Sequence, residues 1–141
     1  MSEQTLLGFD FGVRRIGVAV GQTITASARP LTTLNCPQRG VPDWAALDRL
    51  LREWQPQALV VGRPTHADGS DNSTTVASDA FARALGDRYR LSVHRVDERL
   101  SSHEAETRLA QQGTRARQKK GAIDMMAACI ILETWLADPA A

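Results

Sequence analysis

Three acidic residues stand in places where a carboxylate needs a reason. Asp10 interrupts the apolar run Thr5–Phe11, and a carboxylate inside an apolar strand is costly unless it is paired, hydrogen-bonded or bound to a cation. Alternation along that strand puts Asp10 on one face with Leu6 and Gly8, while Leu7, Phe9 and Phe11 point the other way. Gly8, Gly12 and Gly17 remove side chains around it, so backbone or a ligand can come close. Asp124 has Ala127, Ala128 and Ile131 three, four and seven residues on, so in a helix it projects from the apolar flank. A place in the first helical turn favours its ionised form. Glu98 follows the extended segment Leu91–Val96 and precedes an S-x-x-E capping box made by Ser101 and Glu104.

Each acid also has an ordinary explanation. Asp10 could accept turn hydrogen bonds at Gly12–Arg14, Asp124 could be a plain first-turn aspartate, and Glu98 or its neighbour Asp97 could pair with Arg99. Together, one acid on a strand, one at a strand end and one on a helix suggest a divalent-metal site. Hard cations such as Mg²⁺ take oxygen ligands and keep several waters, so two or three carboxylates suffice when substrate phosphate completes the shell. Two such ions can activate a water and stabilise the leaving oxygen of a phosphodiester.

A basic segment accompanies the acids. Arg108, Arg115, Arg117, Lys119 and Lys120 fall within thirteen positions that hold no acidic residue. Such a block reads either as a phosphate footprint or as a solvated basic turn. The cationic residues are 15 Arg to 2 Lys, a skew that reads as genome composition, although Arg does suit bidentate phosphate contacts. His94 reads as a partly buried or edge residue. His103 reads as helix surface, though it is near enough to Glu98 in sequence to be a proton-transfer candidate, and His66 receives no role. Trp44, Trp54 and Trp135 read as helix packing residues, too few for a stacking platform along single strands. Ser101 and Ser102 read as capping residues rather than nucleophiles, and Cys129 as core.

The elements that must position these residues follow from the pattern. Thr5–Phe11 and Arg15–Val20 read as strands joined by a tight turn at Gly12–Arg14, hence an antiparallel hairpin. A third extended piece spans Arg29–Asn35. Pro42-Asp43 opens a helix through Trp54, with Leu47, Leu50, Leu51 and Trp54 at helical spacing and Pro56 at its end. Ala58–Gly62 is a continuous apolar strand and Arg63–Ser70 a loop rich in turn formers. Asp71–Leu85 is predicted helical with Val76, Ala80, Phe81, Ala84 and Leu85 inward, ended by Gly86. Leu91–Val96 is a strand. A short helix from Ser101 to about Gln112, a connection at Gly113–Gln118 and a last helix from about Lys119 to Ala137 complete the chain. Three meander strands followed by two crossover strands give an α/β protein with a five-stranded mixed sheet and helices on both faces.

With 141 residues, 43% hydrophobic and 23% charged, the chain is expected to form one domain, 1–141, with an ordinary core. No apolar run approaches the roughly 18–20 residues that span a bilayer, and no basic-then-apolar leader opens the sequence. Two isolated cysteines, Cys36 and Cys129, point to a reducing compartment, with the cytoplasm as the default.

GFDFGVRRIGVAVG, VVGRPTHADGSDN, VDERLSS and KKGAIDMMAACIIL resemble, in order, the motifs of the YqgF-type family. These are Holliday-junction-resolvase-like proteins of the ribonuclease H superfamily, regarded as nucleases of pre-16S rRNA. The resemblance covers the chain from about Leu6 to Leu136. It implies a ribonuclease H-like fold and phosphodiester hydrolysis with one or two Mg²⁺ or Mn²⁺ ions. Carried over by position, Asp10, Glu98 and Asp124 are the expected catalytic and metal-binding acids, and Arg15 matches the arginine of the first motif. Where the family usually has Gly-Leu-Pro, this chain has Gly62-Arg63-Pro64, which reads either as an added phosphate contact or as surface variation. Arg15, Arg63, Arg115, Arg117, Lys119 and Lys120 are then the expected substrate-binding residues. Precursor rRNA is the leading substrate, with ribosome association in view; a junction resolvase on branched DNA and a catalytically silent nucleic-acid-binding module are the alternatives. Monomer and homodimer both stay open, and no membrane partner is expected. An actin-like or sugar-kinase-like phosphotransferase also opens with Asp-x-Gly on a first strand, but needs two such domains to enclose ATP.

Overall fold

The computed structural model describes residues 4–64, 70–97, 107 and 120–139. Strand β1 (Thr5–Phe11) turns back through residues 12–14 into β2 (Arg15–Gln22), and β3 (Ser27–Asn35) continues the meander. Helix α1 (Trp44–Trp54), strand β4 (Ala58–Arg63), helix α2 (Ser73–Tyr89), strand β5 (Ser92–Asp97) and helix α3 (Lys120–Ala137) follow. The sheet order is β3-β2-β1-β4-β5. β1 pairs antiparallel with β2 and parallel with β4, and β5 is parallel to β4. The predicted mixed five-stranded sheet is thus present. The short helix predicted from Ser101 lies outside the described residues.

Side-chain parity along the strands divides the core in two. Leu7, Phe9, Phe11, Leu59 and Val61 pack with Leu47 and Leu51 of α1 and Phe81 and Leu85 of α2. Leu6, Ala58 and Val60 pack on the other side, against Ala127, Ala128, Ile131 and Leu132 of α3. Asp43 caps α1 by accepting from the Ala46 N–H at 3.1 Å, as a helix start requires. Asn72 and Thr75 form a reciprocal capping box on α2, at 2.9 and 3.0 Å.

Helix α2 departs from the sequence pattern in two ways. Its inward stripe is Thr75, Ser78, Phe81, Ala82 and Leu85, whereas Val76 is 64% exposed and Ala80 is exposed. The cause is polar: Ser78 Oγ donates to the Gly62 carbonyl at 2.9 Å and Thr75 Oγ1 donates to that of Pro64. Hydroxyls facing inward satisfy carbonyls at the end of β4 and just past it, which apolar side chains could not do. The helix also runs through Gly86 and stops at Arg90, whose left-handed φ of 55° lets its N–H reach the Gly86 carbonyl.

Candidate active site at the carboxyl ends of the parallel strands

One row of residues crosses three strands and carries the site. Asp10 on β1 is registered opposite Gly17 on β2, and Gly17 opposite Thr33 on β3. Helix α3 is seated on that row. A Cβ at Gly17 would lie 2.1 Å from the carbonyl oxygen of Asp124 and 2.9 Å from the nitrogen of Met125, so only glycine permits this approach. Beside it, Thr33 Oγ1 donates to the Gly121 carbonyl at 2.8 Å and pins the start of the helix to the sheet. Asp10 and Asp124 are thereby brought to the same corner, Asp10 on the strand and Asp124 on the helix against its cross-strand neighbour. Further along, a Cβ at Gly8 would meet Leu132 Cβ at 2.8 Å and the Ala128 carbonyl at 3.1 Å, so close packing persists down the helix.

Both acids are half-buried. Asp124, with its side chain 21% exposed, accepts from Arg15 Nε at 2.8 Å. Its flank is apolar as expected: Ala127, Ala128 and Ile131 are all buried. Asp124 is the fifth residue of α3, one place beyond the first turn in which it was expected, where the helix dipole's influence is already falling. Glu98, the third expected acid, lies outside the described residues. Among the described residues, no group of three or more His, Cys, Asp or Glu side chains is placed to hold a metal. Asp10 and Asp124 offer the hard oxygen donors that a divalent cation takes.

On the opposite face of the sheet, at the same edge, lies an ion-pair network that sequence reasoning reached only through Arg63. Arg63 ends β4, registered with Asp97 at the end of β5. Its Nε donates to Asp79 Oδ1 at 3.1 Å and its Nη2 to Asp79 Oδ2 at 3.3 Å and to both Asp71 oxygens at 3.2 Å. Arg95 of β5 completes the network. It donates to Asp79 at 2.8 Å, to Ser78 Oγ at 2.8 Å, and to the carbonyls of Val61 and Gly62 at 3.1 and 3.2 Å. The hydrogen bonds from Arg63, ahead of those from Arg95 and against the cost of burial, hold the Asp79 carboxyl below the usual carboxylate range. Arg95 carried no sequence signal of its own, because its partners are set by the β4–β5 register and by a helix sixteen residues earlier.

The remaining candidates divide simply. Arg115, Arg117, Lys119, His66, Ser101, Ser102 and His103 lie outside the described residues, and Lys120 is the first residue of α3. His94 is half-buried on the edge strand β5 with its ring stacked 4.5 Å from that of Trp135. Cys129 is buried and Cys36 partly so, and neither is in a disulfide.

The family described as RuvX, Holliday junction resolvase, matches residues 4–138. A protein of Legionella pneumophila named "Putative pre-16S rRNA nuclease" is 49% identical over 136 residues, which is 96% of this chain and 97% of that one. One of the same name from Pseudomonas putida is 47% identical over 132 residues, 93% of each chain. Among solved structures, Thermus thermophilus RuvC in complex with a Holliday junction substrate superposes with a TM-score of 0.57 at 15% identity, covering 96% of this chain and 95% of that one. The yeast mitochondrial Holliday junction resolvase gives 0.51 at 10% identity, covering 93% and 77%. These two likenesses establish the fold as that of the resolvases.

Proposed function

The chain belongs to the RuvX family, and from that premise we propose that it is a divalent-metal-dependent nuclease that processes the 5′ end of pre-16S rRNA during ribosome biogenesis. The observation that carries this reading is the seat of α3 on Gly17, which sets Asp124 beside the cross-strand partner of Asp10 at the carboxyl ends of the parallel strands. Ligands of open α/β sheets bind at that edge. The names of the relatives at 47–49% identity support the RNA substrate.

In this reading Asp10, Asp124 and Glu98, which is next in sequence after β5, hold Mg²⁺ or Mn²⁺. The bound cation supplies positive charge for an attacking water and for the leaving oxygen of the phosphodiester. Arg15 orients the Asp124 carboxylate through its Nε and sets a guanidinium next to the scissile phosphate. Arg63, Arg115, Arg117, Lys119 and Lys120 attract the backbone on either side. Such contacts make binding salt-dependent and largely blind to sequence. The cytoplasm is the compartment this reading assigns, supported by Cys36 and Cys129, which form no disulfide.

The family's description favours a second reading, resolution of four-way DNA junctions. A cleavage assay at low salt separates the two by setting a precursor-rRNA fragment beside a four-way junction, with EDTA and Asp10→Asn as controls. Metal-dependent cutting of the RNA, lost in the variant while its melting temperature is kept, is the expected result. Cutting of the junction alone selects the resolvase. Binding without cutting of either substrate, wild type matching variant, makes the chain a silent nucleic-acid-binding module.

A further inference from the structure

The Arg63 corner has the form of a phosphate seat already filled by the protein's own carboxylate. Asp79 engages Arg63 through Nε and Nη2 and is shared with Arg95, so it fixes the guanidinium in place. Asp71 is a looser partner. Its side chain is 56% exposed against 36% for Asp79, and it meets Arg63 at one nitrogen, Nη2, through both oxygens at 3.2 Å each, whereas Asp79 spans two nitrogens. Arg63 and Arg95 face Asp71 and Asp79, with Asp97 registered opposite Arg63, so the corner carries no excess positive charge, and removing Asp71 shifts it by one unit toward positive. The β1–β4 register ends at Phe9↔Val61, one residue before Asp10 and two before Arg63. A nucleic-acid strand that crosses the carboxyl edge from Asp10 on one face can meet this guanidinium on the other.

We propose that Asp71 occupies the phosphate-binding side of Arg63, so that a backbone phosphate binds there by exchanging with Asp71 while Asp79 keeps the guanidinium oriented. A phosphate offers two oxygens to the same Nη2 edge with full charge and freedom to approach more closely. Arg63 then becomes a tunable contact: Asp71 sets how tightly nucleic acid is held at the β4 corner. This rests on the nucleic-acid-binding reading above.

The test is equilibrium binding of the full chain to a labelled precursor-rRNA fragment and to a four-way DNA junction, at low salt with Ca²⁺ as a hard oxygen-seeking cation. Asp71→Asn should tighten binding about two- to fivefold, the scale of an exposed ion pair. The gain should vanish in an Arg63→Gln background, and Asp87→Asn, an exposed acid near the far end of α2, should give a smaller effect. If Asp71→Asn binds as wild type does, or tightens binding equally with and without Arg63, the exchange is refuted while nucleic-acid binding stands. If the wild type binds neither probe, both the exchange and the reading beneath it fail.

Discussion

On the α3 side of the sheet, helix and strands meet where side chains are missing: Gly17 lies against the Asp124 carbonyl and Gly8 against Leu132 and the Ala128 carbonyl. On the α1/α2 side the same strands meet their helices through rings and guanidinium groups. Phe11 and Phe81 stack at 4.9 Å, Trp44 lies 6.2 Å from Phe81, and Arg95 reaches across to Ser78 and Asp79. Backbone against backbone leaves no soft contact to yield, so the carboxylates carried there are fixed by sterics. Long charged side chains can instead exchange partners without moving the frame. The molecule keeps Asp10 and Asp124 on the rigid face and the Arg63–Arg95 network on the adaptable one.

Substitutions that add or remove matter on each face should break this contrast in order of size. Gly17→Ala forces α3 off the sheet, because no rotamer change relieves a Cβ against a carbonyl. It should cost about 3 kcal/mol, read as a lowered urea midpoint. Arg95→Ala on the other face should cost about 2 kcal/mol, since it strips donors from two strand carbonyls and from Asp79 at a partly exposed site. Arg95→Lys should recover only part of this, because an ammonium cannot fork across those acceptors. Gly86→Ala should do the opposite of Gly17→Ala. Its Cβ would meet Val93 Cγ2 at an ordinary 3.5 Å, so helix propensity should raise stability by about 0.5–1 kcal/mol. If Gly17→Ala and Gly86→Ala shift the midpoint equally, the steric account of the α3 face is wrong.

The smallest effect concerns acid stability. Hydrogen bonds from Arg88, then from the Tyr89 hydroxyl, lower the Asp48 carboxyl to about 2. A depressed folded-state pKa gives stability that is fully present above the unfolded value near 4 and lost as pH falls toward 2. Melting curves between pH 5 and 2 should therefore fall less steeply for Asp48→Asn than for wild type, with little difference in slope above pH 5.

The strands were legible in the sequence because alternation and apolar runs report burial directly. β1 spans Thr5–Phe11 as expected, and parity placed Asp10 on the α3 side with Leu6. Helix α2 was misread on its inner face because hydropathy ranks Val76 above Thr75 and Ser78, whereas the inward position there answers to the carbonyls of Gly62 and Pro64. Its end was misplaced because Gly86 is a better stop signal in isolation than Arg90, yet Arg90 takes the left-handed turn. The seat of Asp124 was half legible. Gly17 left room for a close backbone approach, but the Asp124 carbonyl as its partner and Thr33 beside it depend on helix packing and a β2–β3 register that no local pattern encodes. Arg95 was invisible for the same reason.

In the proposed function Asp10 and Asp124 act as one site, joined across Gly17. Calorimetric titration of Mn²⁺ into the wild type, Asp10→Asn and Asp124→Asn, each checked for an unchanged fold, tests it without recourse to catalysis. The wild type should bind, and either substitution alone should weaken binding at least about tenfold, the scale of losing a ligand's charge. Unaltered Mn²⁺ affinity in both variants would contradict it.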